Sequence, residues 1–293
     1  MVIYIKLLRP KDWIKNLFLF IPLFFAGEFF NFGKIIFLAF GTFAFSCIAS
    51  AIYIINDCRD VFEDQRHPEK CKRPIASGEA TRKKAAVIFC LLIILGFYPA
   101  WRLNVDFCVI LLGYFILNIT YTFLLKKIPI VDILMLAIGF VLRITAGAII
   151  GEVFLSEWII IMVFLLALFL GIGKRRDDML LKLSSGLDMR QSSKGYNLEF
   201  LNVLLAVICG VIIVAYLMYT VSHDVINRLG TPYLYYTCLF VVAGIMRYLQ
   251  IIFVAGNSGS PTDVLYRDRF IQVTLLLWVM SFAIIIYLKN ISF

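Results

Sequence analysis

Apolar residues in this chain come in long unbroken blocks separated by short polar connectors. A helix needs about 20 predominantly apolar residues to cross the hydrocarbon core of a bilayer. By that measure the pattern predicts nine spanning helices, near residues 14–30, 35–55, 85–101, 106–125, 129–150, 157–173, 200–221, 233–255 and 270–289. The first is the poorest, with Lys15 inside its start and Gly27 and Glu28 near its end. The expected fold class is therefore an all-α integral membrane protein. It is read as a single nine-helix domain over residues 1–293, with two pseudo-repeated halves, 1–125 and 126–293.

The polar positions are distributed unevenly between the two sides of this bundle. With nine crossings, the amino terminus, counted with Lys15 at the very start of helix 1, and the connectors after helices 2, 4, 6 and 8 hold 22 of the 28 Lys and Arg residues. The other side holds 4, namely Lys34, Arg102, Arg228 and Lys289, and Arg143 and Arg247 lie within spans. By the positive-inside rule the amino terminus is cytoplasmic and the carboxyl terminus outside. The expected location is the inner (plasma) membrane, with the long charged connectors 56–84 and 174–199 facing the cytoplasm.

Composition agrees. The chain is 62% hydrophobic and 16% charged, against about 25% charged in soluble domains. Its net charge of +9 is confined to connectors, so it reports orientation and a lipid bilayer partner, with no nucleic acid expected. Lys6, Arg9, Lys11 and Lys15 precede an apolar run without a small-residue cleavage site, so no cleavable signal peptide is read. Seven cysteines without a C-x-x-C pair argue against a disulfide framework or a zinc site.

Chemistry concentrates where helix 2 ends, in Asn56-Asp57-Cys58-Arg59-Asp60-Val61-Phe62-Glu63-Asp64. If this run stays helical, Asp57, Asp60 and Asp64 fall within about 60° of one another, with Asn56 beside them. Hard carboxylate oxygens on one stripe suit Mg²⁺, which also holds substrate phosphates; the plainer reading is a solvated helix end. His67-Pro68-Glu69-Lys70-Cys71-Lys72-Arg73 follows directly. Arg73 is read as gripping phosphate oxygens with its planar fork, whereas Arg82, Lys83 and Lys84 are read as topological anchors.

Four helices later comes Lys174-Arg175-Arg176-Asp177-Asp178. Lys174, Asp178 and Lys182 share a helix face at i, i+4 and i+8, as an extended helix end or as a ligand site; the spacing does not decide between them. Arg9 to Asn16 reads as an aromatic-basic membrane anchor, and Tyr121 to Lys127 with Asp132 closes the gap between helices 4 and 5. Arg143 lies deep in a span, where an ionisable residue is functional by default, with a backbone carbonyl partner the equal alternative. Asp263 to Arg269 is expected to pair within itself.

These stretches together resemble the UbiA superfamily of intramembrane prenyltransferases. Asn56-Asp57-x-x-Asp60-x-x-x-Asp64 resembles its first metal motif. Arg9-Pro10 with Trp13, Lys15 and Asn16, Arg73-Pro74-Ile75-Ala76-Ser77-Gly78, Tyr121 with Lys126, Gly139 to Arg143, and Gly173-Lys174-Arg175-Arg176 extend the likeness along most of the chain. The last of these, standing where prenyltransferases carry a second acidic motif, resembles the branch that moves phosphoribose onto a polyprenyl phosphate. Asp178 departs from that branch, which has a glutamate there.

The resemblance implies nine helices around a cytoplasmic-facing cavity and Mg²⁺ held by Asp57, Asp60 and Asp64, with Asn56 in the catalytic set. It places Lys15, Asn16, Arg66, Arg73, Tyr121, Lys126, Lys174, Arg175 and Asp178 around the substrates. Those substrates are phosphoribosyl diphosphate and a polyprenyl phosphate, in a pathway to arabinose donors for cell-envelope glycans. Two rivals are kept: prenyl transfer to an aromatic or glycerol-phosphate acceptor, and an ion-coupled transporter. A transporter places its ionisable groups near the bilayer midplane, where this chain has only Arg143.

Overall fold

The computed structural model describes residues 2–66, 70–185, 195–254 and 261–287. Among them every regular element is helical. Eight helical segments are long and apolar enough to cross a membrane: α1 (Phe32–Arg59), α2 (Arg82–Leu103), α3 (Val105–Phe123), α4 (Val131–Gly151), α5 (Glu157–Ser185), α6 (Leu198–Val221), α7 (Cys238–Phe253, counted with the 3-10 turn before it) and α8 (Arg269–Tyr287). A 3-10 turn, Tyr233–Thr237, leads directly into α7.

The expected first span, 14–30, is not a single α-helix. It is a 3-10 helix of 11 residues, Pro10–Phe20, continuing into a short α-helix, Ile21–Phe25. Runs of 3-10 helix longer than three or four residues are uncommon, so tertiary contacts must hold this one. His67, Pro68, Glu69 and Lys289, named above, lie outside the described residues, as do Arg190 and Lys194 of the connector 174–199.

The helices start where the sequence supplies caps. Asn31, Thr81, Asn104 and Asn197 each accept a hydrogen bond from a backbone N–H three residues on, which satisfies one of the orphan donors of a helix start. Asn104 alone separates α2 from α3. Its N–H donates to the Ala100 carbonyl, and its side chain caps Phe107. Outer faces are apolar throughout: only 17% of the apolar window of α2 and 11% of that of α8 is buried within the protein. Helices that are hydrophobic all round yet largely unburied are solvated by lipid.

The chain forms two compact units. One comprises residues 1–126 with 139–155, the other 127–138 with 156–293, so α4 is divided between them. The first unit buries Leu19, Phe45, Ile48, Phe107, Leu111, Tyr114 and Ala146 in one cluster. In it Gly96 lets α2 approach α1, since a Cβ there would lie 2.5 Å from Ile48 Cδ1. The second unit is built on Ile133, Phe169, Ile172, Leu201, Leu205, Tyr248 and Ile252.

Candidate active site

The acidic run does not continue as one helix. Helix α1 ends at Arg59, and Asp60 caps it, its N–H donating to the Asn56 carbonyl at 2.9 Å. A second helix, Val61–Gln65, then starts. The single stripe of three carboxylates is therefore corrected to a pair and a singleton. The turn brings Asp57 and Asp64 onto one cation: Arg73 Nη1 lies 3.2 Å from Asp57 Oδ1 and 2.6 Å from Asp64 Oδ2. Asp60 points elsewhere and pairs with Lys126.

Arg73 is delivered by a compact turn. Its carbonyl accepts the Ser77 N–H at 2.8 Å, that of Pro74 accepts the Ala80 N–H at 2.8 Å, and Gly78 takes a left-handed φ of 81° that favours glycine. A second guanidinium, Arg9, also pairs with Asp57 and lies over the Tyr53 ring at 5.0 Å. Both carboxylates are buried, Asp57 at 2% and Asp64 at 3% exposure. Their cations keep contact with solvent: the side chains of Arg9 and Arg73 are 20% and 27% exposed. In the Asp60–Lys126 pair both members are partly exposed, at 23% and 16%.

The flanking residues hold helix ends. Asn56 pairs with the Thr122 hydroxyl. Arg59 donates to the Thr122 and Phe123 carbonyls, closing the carboxyl end of α3. Tyr121 is half-buried beside Thr122, and Arg66 is exposed at the end of Val61–Gln65. Lys15 pairs at 2.6 Å with Asp12, three residues away on its own helix.

Asn16 is buried at 1% exposure and fully engaged. Its Nδ2 donates to Ser46 Oγ at 2.8 Å and its Oδ1 accepts from Arg143 Nε at 3.0 Å. Arg143 also donates to the Gly139 carbonyl at 2.8 Å and the Tyr114 hydroxyl at 2.7 Å, with the Phe45, Tyr114 and Phe140 rings around it. Among the described residues no carboxylate pairs with it. The backbone-carbonyl partner is thus present, together with two side-chain acceptors. A charge at this depth of a span costs about 2.5–3.5 kcal/mol on insertion scales.

In the second unit, Arg175 is buried rather than offered to a ligand. Its Nε donates to Asp132 Oδ2 at 2.5 Å and its Nη1 to Asp178 Oδ2 at 3.2 Å. Asp178, expected to pair along the Lys174 face, makes an i, i+3 pair with Arg175; the Lys182 side chain lies outside the described residues. Asp132, fully buried, accepts the Tyr196 hydroxyl at 2.7 Å. That hydroxyl in turn accepts the Ile130 N–H at 2.5 Å, which pins a β-branched residue at φ 69°. Burial, then the hydrogen bond to Asp132, pushes the Tyr196 phenol well above its ordinary pKa. Lys174 is exposed on the same helix. Arg176 points to Asn202 at 2.7 Å.

The segment from 263 to 269 does not pair only within itself, because Asp268 reaches Arg247 on α7 at 2.8 Å and caps α8 through the Ile271 N–H. The Asp263 side chain lies outside the described residues.

Two residues escaped the sequence reading as site members. Arg9 stood in a stretch that looked like a membrane anchor, 48 positions from its partner; the adjoining Pro10 and the acid-rich run were the available signal. Tyr196 carried none.

Hard carboxylate oxygens are the donor set Mg²⁺ prefers. Asp57 and Asp64 already converge on a positive charge, that of Arg73, so these two fit the ion. Among the described residues no three carboxylates gather at one point, and Asp60 is turned to Lys126.

Residues 17–180 match the family model described as the UbiA prenyltransferase family. The chain belongs to that family. A decaprenyl-phosphate phosphoribosyltransferase of Mycolicibacterium smegmatis is 30% identical over 295 residues, covering 97% of this chain and 92% of its own. That of Corynebacterium glutamicum is 30% identical over 288 residues, covering 97% and 86%. The solved UbiA homolog from Archaeoglobus fulgidus bound to GPP and Mg²⁺ superposes with a TM-score of 0.71 at 20% identity, covering 97% of this chain and 99% of the other. At that identity the likeness is one of fold. It establishes the UbiA-type helical architecture for this chain.

Proposed function

We propose that this UbiA family member transfers 5-phosphoribose from phosphoribosyl diphosphate to the phosphate of a polyprenyl phosphate, releasing diphosphate. The observation that carries this reading is the near-full-length similarity to enzymes named decaprenyl-phosphate phosphoribosyltransferase. The sequence adds support, with one acidic helix end and a Lys174-Arg175-Arg176 cluster in place of a second acidic motif. A donor with diphosphate at one end and a 5-phosphate at the other calls for cations as well as a metal.

In the proposed reaction a polyprenyl phosphate oxygen bonds to the ribose anomeric carbon as the bond from that carbon to the diphosphate breaks. The nucleophile is already an anion, so no general base is required. Bound Mg²⁺, held by Asp57 and Asp64 and joined by Asp60 once Lys126 has left it for a phosphate oxygen, would neutralise the departing diphosphate. Arg9, Arg73 and Lys126 would exchange their carboxylates for phosphate oxygens. Asn56 keeps the end of α1 on Thr122, Tyr121 lines the same end, and Arg66, Lys15 and the exposed Lys174 supply further positive charge. Arg175 and Asp178 set the helix that carries Lys174, and Asn16 acts from within the protein.

The proposed topology has nine crossings, an inner-membrane location and a cytoplasmic site, supported by the 22-to-4 division of basic residues. The Pro10–Phe25 segment suits a crossing despite its brevity. At about 2.0 Å per 3-10 residue and 1.5 Å per α residue it spans about 30 Å, the thickness of the hydrocarbon core. The product would feed arabinose donors of cell-envelope glycans.

Purified protein with Mg²⁺, labelled phosphoribosyl diphosphate and a polyprenyl phosphate should form a labelled lipid. No labelled lipid, alongside consumption of a prenyl diphosphate with an aromatic acceptor, would replace this reading with the prenyltransferase one.

A further inference from the structure

The amino-terminal 3-10 helix is docked by a register match. Side chains three apart eclipse in a 3-10 helix, so Trp13, Asn16 and Leu19 form one row. Trp13 Nε1 donates to Ser50 Oγ at 3.0 Å and Asn16 Nδ2 to Ser46 Oγ at 2.8 Å. Three 3-10 residues advance about 6.0 Å, as do four α residues. Trp13 and Asn16 therefore step in time with Ser50 and Ser46 on the antiparallel α1. From the other side, Leu19 lies so close to α4 that a Cβ on Gly147 would sit 1.9 Å from the Leu19 carbonyl oxygen. Phe18 packs edge-on to Phe140 at 4.8 Å, and Arg143 Nε holds Asn16 Oδ1.

The helix begins at Arg9, a non-glycine residue with φ 49° and ψ 59° and no side-chain cap. Such a conformation persists only where the surroundings over-determine it. If the 11 residues relaxed to α-helix, the segment would shorten by about 5.5 Å and its start would turn by about 220°. Either change takes Arg9 off Asp57.

We propose that Arg143, acting through Asn16, is a positioning residue that holds Pro10–Phe20 in 3-10 geometry and thereby sets Arg9 on Asp57. The deep charge has no carboxylate of its own among the described residues; its partners are the segment it locks, its own helix and Tyr114. This inference rests on the proposed function only in treating Asp57 as part of the donor site; the placement of Arg9 stands apart from it.

The test is the rate at which phenylglyoxal modifies Arg9, read by mass spectrometry on the full chain in detergent without substrate. D57N gives the rate for a released Arg9. N16L and R143M should raise Arg9 labelling to that rate, by about tenfold, the factor for losing one charge-assisted hydrogen bond. N16D, which keeps the acceptor for Arg143 but loses the donor to Ser46, should label no faster than S46A. S46A, a mild change, should give a smaller rise if N16L fails to fold. Unchanged labelling in R143M and S46A while D57N rises overturns the proposal, and so does no rise in D57N. With substrate, the donor KM of R9Q/N16L should equal that of R9Q, and multiplicative losses overturn the positioning role. Absence of phosphoribosyl transfer in wild type contradicts the proposed function and leaves the labelling result as it stands.

Discussion

The two charged regions use ion pairs in opposite ways. At the end of α1 Asp57 and Asp64 are buried while Arg9 and Arg73 reach in from solvent, so each of these cations can let go and remain hydrated. In the second unit both members of the Arg175–Asp132 pair are sealed, with side chains 1% and 0% exposed, and Tyr196 closes the network. The first arrangement is exchangeable and the second is a framework. Charge in a sequence therefore does not reveal whether it serves a ligand or the fold; the exposure of the partner does.

The largest expected effect is on turnover. D57N and D60N should each lower activity by at least about a thousandfold, the scale on which electrostatic stabilisers of a transition state act, with thermal unfolding close to wild type. Activity retained in both would remove the metal assignment. Next comes the framework: D132N should destabilise the protein by about 3 kcal/mol, because it removes the charge of the fully buried pair and leaves Arg175 with the longer, partly exposed contact to Asp178, measured by chemical denaturation in detergent. An unchanged midpoint would show that the pair carries no structural weight.

Much of this was legible in the chain. The apolar blocks 35–55 through 270–289 correspond to the eight long helices because a lipid-facing helix must be apolar along its whole length. Asp57, Asp60 and Asp64 were legible as acids at a helix end. Their grouping was not, because it depends on Asp60 ending α1, and no Pro or Gly marks that break. Arg9 was hidden by its sequence distance, and the 3-10 geometry of Pro10–Phe20 because tertiary contacts impose it. Arg175 was visible as a charge, but its burial follows from Asp132, 43 positions earlier.

Smaller effects sharpen the contrast. R73Q should raise the donor KM severalfold while the melting temperature barely moves, since Arg73 is held at a half-exposed, exchangeable position. An intact KM would confine Arg73 to the fold. Y196F should cost about 1–3 kcal/mol of stability, the range for leaving a buried acceptor unsatisfied, with KM unaffected. The least effect belongs to Asp268, whose carboxyl the Arg247 hydrogen bond holds below the ordinary carboxylate range. A depressed pKa contributes stability above the unfolded-state value and loses it as pH falls through the folded one. D268N should therefore be slightly less stable than wild type at pH 7, with the difference closing only in acid below the ordinary carboxylate pKa.

The most direct test of the contrast is to measure unfolding midpoint and phosphoribosyl transfer side by side on D57N and D132N. An exchangeable site and a sealed framework predict a D57N protein that is inactive but unfolds like wild type, and a D132N protein whose midpoint falls sharply. Equal loss of stability in the two variants would contradict the account.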